Sequence, residues 1–471
     1  MHPLRPIDPV ITFRNSQDEA VRGTLTNLQR RSLVMEVYNP YSIVQVSEVL
    51  SELTVRSGDK SIYKGKGVVV SLMNTGLMAV VSVTLIDEWS DLNAARGDLT
   101  QIGVESRRFV EDWEARFKVS RDYQVVVSEM RAYFGELARW VDQADMGITL
   151  PRDPDGRVRK DVFLELGSPL LEKGREYLQR FEYEAGRVDE DLSPVHRSFA
   201  QAAIHPLILR APFVYRTFVK PLGYAGDYEM VNQILGDPRQ GPSTYFQLVN
   251  YMFLQAGVAA AHRNRIDILH ERLDRLVARA GQAGRPMRVL NVGCGPAVEI
   301  QHFLRSHPDA GKLEFVLVDF SEETLAYTRA RLQEAIPAGQ PLRVTFQHES
   351  VHALLKKSTR SQALADEERF DYIYCAGLFD YLSDKVCTRL IEYFMARSRP
   401  GAAILLTNVH SSNVERRWME HFLEWYLIYR DEAGLLGVLP EGLENLRSFT
   451  DATGVNVFLE ATVGASGTMR S

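Results

Sequence analysis

The chain has 471 residues, 45% apolar and 25% charged, which is ample for more than one packed core and too balanced for general disorder. Its formal net charge of −6 argues against a nucleic-acid partner held by bulk charge. Three cysteines without a CxxC pair (Cys294, Cys375 and Cys387) exclude a disulfide framework and a four-cysteine zinc site.

No metal is expected. The sparse thiols, and a start without an apolar signal run, read as a cytoplasmic protein. Length alone suggests about three domains.

In chain order, residues 1–97 read as all-β. Short β-rich runs at Ile11–Phe13, Arg22–Leu28, Leu33–Tyr38 and Leu53–Arg56 are separated by turn residues, a pattern of a small barrel. Gly67–Ile86 is uncharged for twenty residues, formally enough for a membrane span. It is β-branched, however, and Asn74-Thr75-Gly76 interrupts it like a hairpin turn, so two strands and no membrane span are expected.

Residues 98–150 carry apolar residues at helical spacing: Phe109, Trp113 and Phe117, then Val125, Val126, Met130, Phe134, Leu137, Trp140 and Val141. This predicts an amphipathic connector that either packs within the chain or pairs two copies into a homodimer. Pro151–Arg159 is the linker candidate. Residues 151–285 read as further helices at Val162–Glu184, Val195–Leu209, Tyr228–Leu235 and Thr244–Ala280.

From 286 to 471 the period changes to strand–helix alternation, the mark of a parallel α/β sheet. Met287–Val292 runs into Gly293-Cys294-Gly295-Pro296-Ala297 and then a helix at Val298–Ser306. Leu313–Val318 ends in Asp319, placed to accept both hydroxyls of a ribose. Leu342–Gln347, Phe370–Cys375 and Ala402–Thr407 follow as strands, and Arg447–Thr450 with Val455–Ala461 as a closing hairpin.

The short VGCGPA run has Glu299 near where a dinucleotide fingerprint would seek its third glycine. It resembles motif I of class I S-adenosylmethionine (SAM)-dependent methyltransferases. The resemblance covers about 185 residues and implies a Rossmann-like seven-stranded sheet with SAM as methyl donor. It assigns donor binding to Gly293, Cys294, Gly295, Asp319, Phe320, Ser350, Val351, Cys375 and Gly377.

The acceptor pocket is expected after Thr407. A helix from about Val414 to Ala433 would put Trp418, Phe422, Trp425, Tyr426 and Tyr429 on one face, as a packing stripe or an apolar wall. Asn408, Trp425, Tyr429 and Tyr228 are the substrate-binding candidates, and His410, Tyr224 and Arg430 the catalytic ones. His410 would deprotonate a hydroxyl acceptor, or only orient a carboxylate, which is already ionised at neutral pH. Arg416, Arg417 and Arg430 are cations that could hold an anionic group. Lys220–Asn232 (KPLGYAGDYEMVN) is dense in Gly, Tyr and Asp; it reads as a docked loop before a helix, or as a lid that excludes water.

KPLGYAGDYEMVN, VLNVGCGPAVEI and YCAGLFDYL together resemble bacterial extracellular-factor 3-hydroxypalmitic acid methyl ester biosynthesis proteins over about 190–471. That resemblance implies methyl esterification of a hydroxy fatty acid, a small-molecule quorum signal. Alternatives are O-, N- or S-methylation of a specialised metabolite, and a non-catalytic SAM sensor. The N-terminal part more faintly resembles a PilZ barrel. In the turn that would bind cyclic di-GMP, Gln29 stands for serine and Ser32 for glycine, which argues against that ligand.

Overall fold

The computed structural model describes residues 10–29, 31–38, 44–57, 60–74, 78–87, 119–147, 150–336, 343–358 and 365–464, with scattered positions in 103–111. The chain divides into two compact units, one of residues 1–118 with Lys220–Tyr224 and one of residues 119–219 with 225–471.

The first unit is a closed antiparallel barrel. Its strands are β1 (Val10–Arg14), β2 (Ala20–Leu28), β3 (Ser32–Tyr38), β4 (Val49–Ser57), β5 (Lys60–Asn74) and β6 (Met78–Leu85), in the order β1-β2-β3-β6-β5-β4. Period-two alternation sends Ile11, Phe13, Leu33, Met35, Val37, Val81 and Val83 inward, and their side chains fill the barrel. The uncharged stretch is indeed two paired strands, with Val69 inside and Val70 outside. β5 starts earlier than its apolar part, because Lys60–Lys66 forms a strand whose alternate residues face solvent. Among the described residues no helix is long and apolar enough to cross a membrane. The turn after β2 is closed on itself: Gln29 N–H donates to Ser32 O at 2.8 Å, and Ser32 Oγ donates to Gln29 Oε1 at 3.2 Å.

The second unit opens with helices Arg121–Gly147, Lys160–Gly186, Ser193–Ile208, Pro212–Val219, Tyr228–Leu235, Thr244–Leu254 and Gly257–Ala283. Tyr123, Val126, Val127, Met130, Phe134, Leu137 and Val141 of the first bury against this chain's own helices, so this face is closed by intramolecular packing. Val125 and Trp140 of the expected stripe point outward instead, and Phe109, Trp113 and Phe117 lie outside the described residues.

Two expected boundaries do not separate compact units. Pro151–Arg159 is no linker but a tight turn inside one core: Arg152 bridges Val158, and the buried Arg239 donates to Asp153 at 2.6 Å and to Val158 O at 2.8 Å. Likewise Gly257–Ala283 packs Leu269, Leu273, Leu276 and Val277 onto the sheet beside Val289 and Phe315.

The single helix expected over Thr244–Ala280 is broken at Gln255-Ala256. There the Glu415 carboxylate accepts from Gly257 N–H at 2.8 Å and Val258 N–H at 2.9 Å, starting a new helix. Pro212–Val219 has no strong local signal; its start is tied by Asn250 Oδ1, which accepts from Phe213 N–H at 2.9 Å.

The sheet comprises β7 (Met287–Val292), β8 (Leu313–Asp319), β9 (Arg343–His348), β10 (Phe370–Cys375), β11 (Ser398–Val409), β12 (Leu443–Thr450) and β13 (Asn456–Val463). Its order is β12-β13-β11-β10-β7-β8-β9, with β13 antiparallel to both neighbours. It is the Rossmann-like seven-stranded α/β sheet expected. Strand order reverses at β7, between β8 and β10, so a crevice opens beyond the carboxyl ends of β7, β8 and β10.

Candidate active site

The glycine loop leaves β7 at this reversal. Gly293 (φ 72°) and Gly295 (φ 52°) are left-handed, which glycine adopts without a Cβ clash. The loop is tied to the neighbouring strand: Gly293 and Cys294 N–H donate to Val318 O at 2.8 and 3.1 Å. The buried Asp319 at the end of β8 accepts from Gly295 N–H at 3.1 Å and Ser321 N–H at 2.9 Å. Burial pushes its carboxyl up, and these N–H groups oppose that shift. A Cβ on Gly295 would meet nothing within 4 Å, so open space lies beside the loop and next to this acid.

Cys294 and Cys375 are not walls of that space. Both side chains are buried in the two core layers, and burial pushes both thiols up. Glu299 lies beneath the loop, buried, and accepts from Tyr374 Oη at 2.7 Å. Phe320 is 44% exposed at the end of β8, where an adenine could lie on it. Ser350 Oγ accepts from Ala353 N–H at 3.2 Å at the start of helix Val351–Ser358. Gly377 (φ 97°) follows β10 and donates to Thr407 Oγ1 at 3.0 Å.

On the acceptor side the structure departs from expectation. Val414–Ala433 is not one helix. A short helix, Arg416–Phe422, ends before Glu424 (φ 49°), and residues 424–431 continue as irregular chain past the end of β11. That path is held by Ile428 N–H donating to Asp380 O at 2.7 Å and Arg430 N–H to Val409 O at 3.2 Å. The aromatic stripe therefore splits. Trp418, Phe422 and Trp425 are core, Tyr429 packs at its margin, and Tyr426 is exposed.

Three of the expected site residues also carry structural contacts. Arg430 is buried, and its guanidinium donates to Phe379 O and Asn408 Oδ1 at 2.8 Å, Leu382 O at 2.6 Å and Asp384 at 2.7 Å. It anchors the 424–431 run. Asn408 is fully buried and donates to Val409 O and Ile428 O at 3.0 and 2.8 Å, so it too is consumed by structure. His410 has both ring nitrogens engaged, Nδ1 with Ser412 Oγ at 2.6 Å and Nε2 with Glu432 at 3.1 Å. Arg416 and Arg417 pair with Glu420, at 2.6 and 3.1 Å. A cleft of about 340 Å³ lies along this run, lined by Asp384, Ser411, Tyr429, Arg430 and Asp431 among others.

Tyr224 groups with the barrel's unit. The segment after it belongs to the second unit. Asp227 is fully buried, accepts from Arg216 Nε at 2.8 and 2.9 Å, and caps helix Tyr228–Leu235 through Met230 N–H at 2.9 Å. Tyr228 donates to Glu323 at 2.8 Å and stacks on Tyr327 at 4.5 Å, on the helix after β8. Gly226 lies against Tyr381, after β10, whose hydroxyl also accepts from Trp425 Nε1 at 3.0 Å. Residues 225–228 thus bridge the far edges of the crevice.

Sequence reasoning missed Arg265 and Asp380. Arg265, on helix Gly257–Ala283, is 7% exposed, and its Nη1 stands 3.0 Å from where a Cβ on Gly377 would lie. Asp380 is buried and accepts from Val409 N–H at 2.6 Å. No local signal marks either: Arg265 sits in a charge-rich helix, and Asp380 in a short loop. The open space at Gly295, the acid at the end of β8 and the buried cation at Gly377 fit a ligand with a ribose and a charged tail, as SAM is.

Residues 289–401 match the family model described as a methyltransferase domain. No curated protein matches the chain. Among solved structures, a possible exported protein from Bordetella parapertussis is 17% identical over 64% of this chain and 97% of its own, with a TM-score of 0.41. Magnesium protoporphyrin IX methyltransferase from Synechocystis, with bound S-adenosylhomocysteine, is 15% identical over 53% of this chain and 99% of its own, with a TM-score of 0.35. An N-methyltransferase from Bradyrhizobium japonicum is 14% identical over 41% of this chain and 95% of its own, with a TM-score of 0.28.

Proposed function

We propose that this SAM-dependent methyltransferase esterifies the carboxylate of an apolar acid, with a 3-hydroxy fatty acid as the preferred class. Bound SAM supplies an electrophilic methyl group. The chain's own residues position the donor, screen it from water and orient the acceptor.

In this reading Asp319 accepts the ribose hydroxyls, and backbone at Gly293, Gly295 and Gly377 lies against the donor. Phe320, Ser350 and Val351 flank the adenine. Tyr228 and Gly226 hold the cover across the crevice, and Tyr429, in the cleft after β11, supplies apolar surface for the acid.

The observation that favours a carboxylate acceptor is that His410 at the end of β11 already meets Ser412 through Nδ1 and Glu432 through Nε2, so taking a proton from a hydroxyl would first break one of these contacts. A hydroxyl acceptor needs a base there, whereas a carboxylate is already ionised and needs only to be placed. Methylation of another metabolite atom is the competing outcome.

The full-length protein is incubated with SAM and panels of long-chain 3-hydroxy acids, alcohols and amines, and products are read by mass spectrometry. The expected product is an acid heavier by one methylene mass unit that releases methanol in mild alkali. An alkali-stable product would overturn carboxyl methylation.

A further inference from the structure

Arg265 is a buried cation that the fold leaves incomplete. No hydrogen bond or ion pair joins its guanidinium to another described residue, and its nitrogens are not among the sealed, partnerless atoms of the core. They therefore border accessible space, at a residue otherwise 93% buried. A desolvated guanidinium without acceptors is costly, and a fold keeps one where a ligand completes it.

Its location says which part of the ligand. Gly377, beside Nη1, is the second residue after β10. The next residue, Leu378, stands 3.4 Å from where a Cβ on Gly293 of the glycine loop would lie. Arg265 thus belongs to the stretch of crevice between the glycine loop and the end of β10. Asp319 and the ribose position lie on the opposite side of that loop.

Asp380 supplies the opposite charge. One carboxylate oxygen accepts from Val409 N–H at 2.6 Å; the other has no hydrogen bond among the described residues. Arg265 and Asp380 attract one another, yet do not form an ion pair. Two buried opposite charges held apart make a complementary cradle for a zwitterion.

We propose that Arg265 and Asp380 bind the α-amino acid end of the methyl donor, Arg265 taking the α-carboxylate through its guanidinium fork and Asp380 taking the α-ammonium. The assignment rests on the donor-site reading above. It also gives Gly377 a reason: any side chain there would press on the guanidinium as well as strain a φ of 97°.

The test compares two ligands of the full chain by calorimetry, S-adenosylhomocysteine and 5′-methylthioadenosine, which lacks the amino acid. Arg265→Met should weaken S-adenosylhomocysteine about a hundredfold and leave methylthioadenosine unchanged. Arg265→Lys should restore part of the loss. Equal weakening of both ligands, or neither, overturns the assignment. So does unchanged S-adenosylhomocysteine affinity with a raised KM for the acid, which would give the guanidinium to the acceptor's carboxylate.

The unmodified protein tests the same point without a variant. The carboxyl methyl ester of S-adenosylhomocysteine should bind about a hundredfold more weakly than the free acid, and equal binding overturns the proposal. Failure of the donor site itself looks different, since the wild type would then bind none of these ligands.

Discussion

The two sides of the crevice are built by different means. On the donor side the parts are close in sequence and act through backbone: Gly293, Gly295 and Asp319 lie within one strand–helix–strand unit and bond to one another. On the acceptor side key supports come from distant segments. Glu182, more than two hundred residues upstream, caps helix Arg416–Phe422 by accepting from Trp418 N–H at 2.6 Å and Arg417 N–H at 3.0 Å. Arg430 ties its own run to residues 379–384 and to Asn408 on β11. A motif reads well where its contacts are local, and poorly where the same residue types are recruited as struts.

The largest expected effect breaks that comparison at Arg430. Arg430→Met should destabilise the protein by about 3–5 kcal/mol, because it strands a buried carbonyl and amide network. Urea unfolding measures it. If Arg430 instead served the substrate, stability would hold and KM for the acid would rise.

Asp319→Ala tests the other side. It should cost S-adenosylhomocysteine about a hundredfold in affinity, the loss of a charge-assisted bidentate contact, with little change in unfolding midpoint. Calorimetry beside a thermal melt separates the two. Unchanged binding would remove Asp319 from the site.

The smallest effect is a pH dependence. Burial pushes Glu182 up to about 7. Its folded pKa therefore lies above the unfolded one, the native state binds the extra proton, and this group's contribution falls as pH rises from about 4.5 to 7. Buried His421, depressed to about 3, pulls the opposite way, gaining stability as pH rises from about 3 to 6.5. The difference between wild type and Glu182→Gln isolates the first. It should change by about 1–2 kcal/mol across that window in urea unfolding. A flat difference would mean that the carboxylate is already ionised in the fold.

The residues explain why legibility was uneven. The strands around Gly293 and Asp319 could be placed to within a residue or two, since apolar runs and glycines with φ above zero are local demands. The helix expected over Val414–Ala433 failed although its aromatic spacing was good. Periodicity reports which residues avoid water, and here Trp418, Phe422 and Trp425 avoid it by packing against other helices, not by sharing one helical face. His410 and Arg430 looked available because sequence cannot show that Ser412, Glu432, Asn408 and Asp384 have already taken their hydrogen bonds.

By itself the sequence determined the class of fold, the barrel, the glycine loop and the acid at the end of β8, all consequences of short-range backbone geometry and alternating burial. Only the tertiary structure decided which charged groups are spent and which are left open. Arg430 and Arg265 are both buried arginines. One is surrounded by acceptors and the other faces a space without them, a difference set by segments distant in the chain.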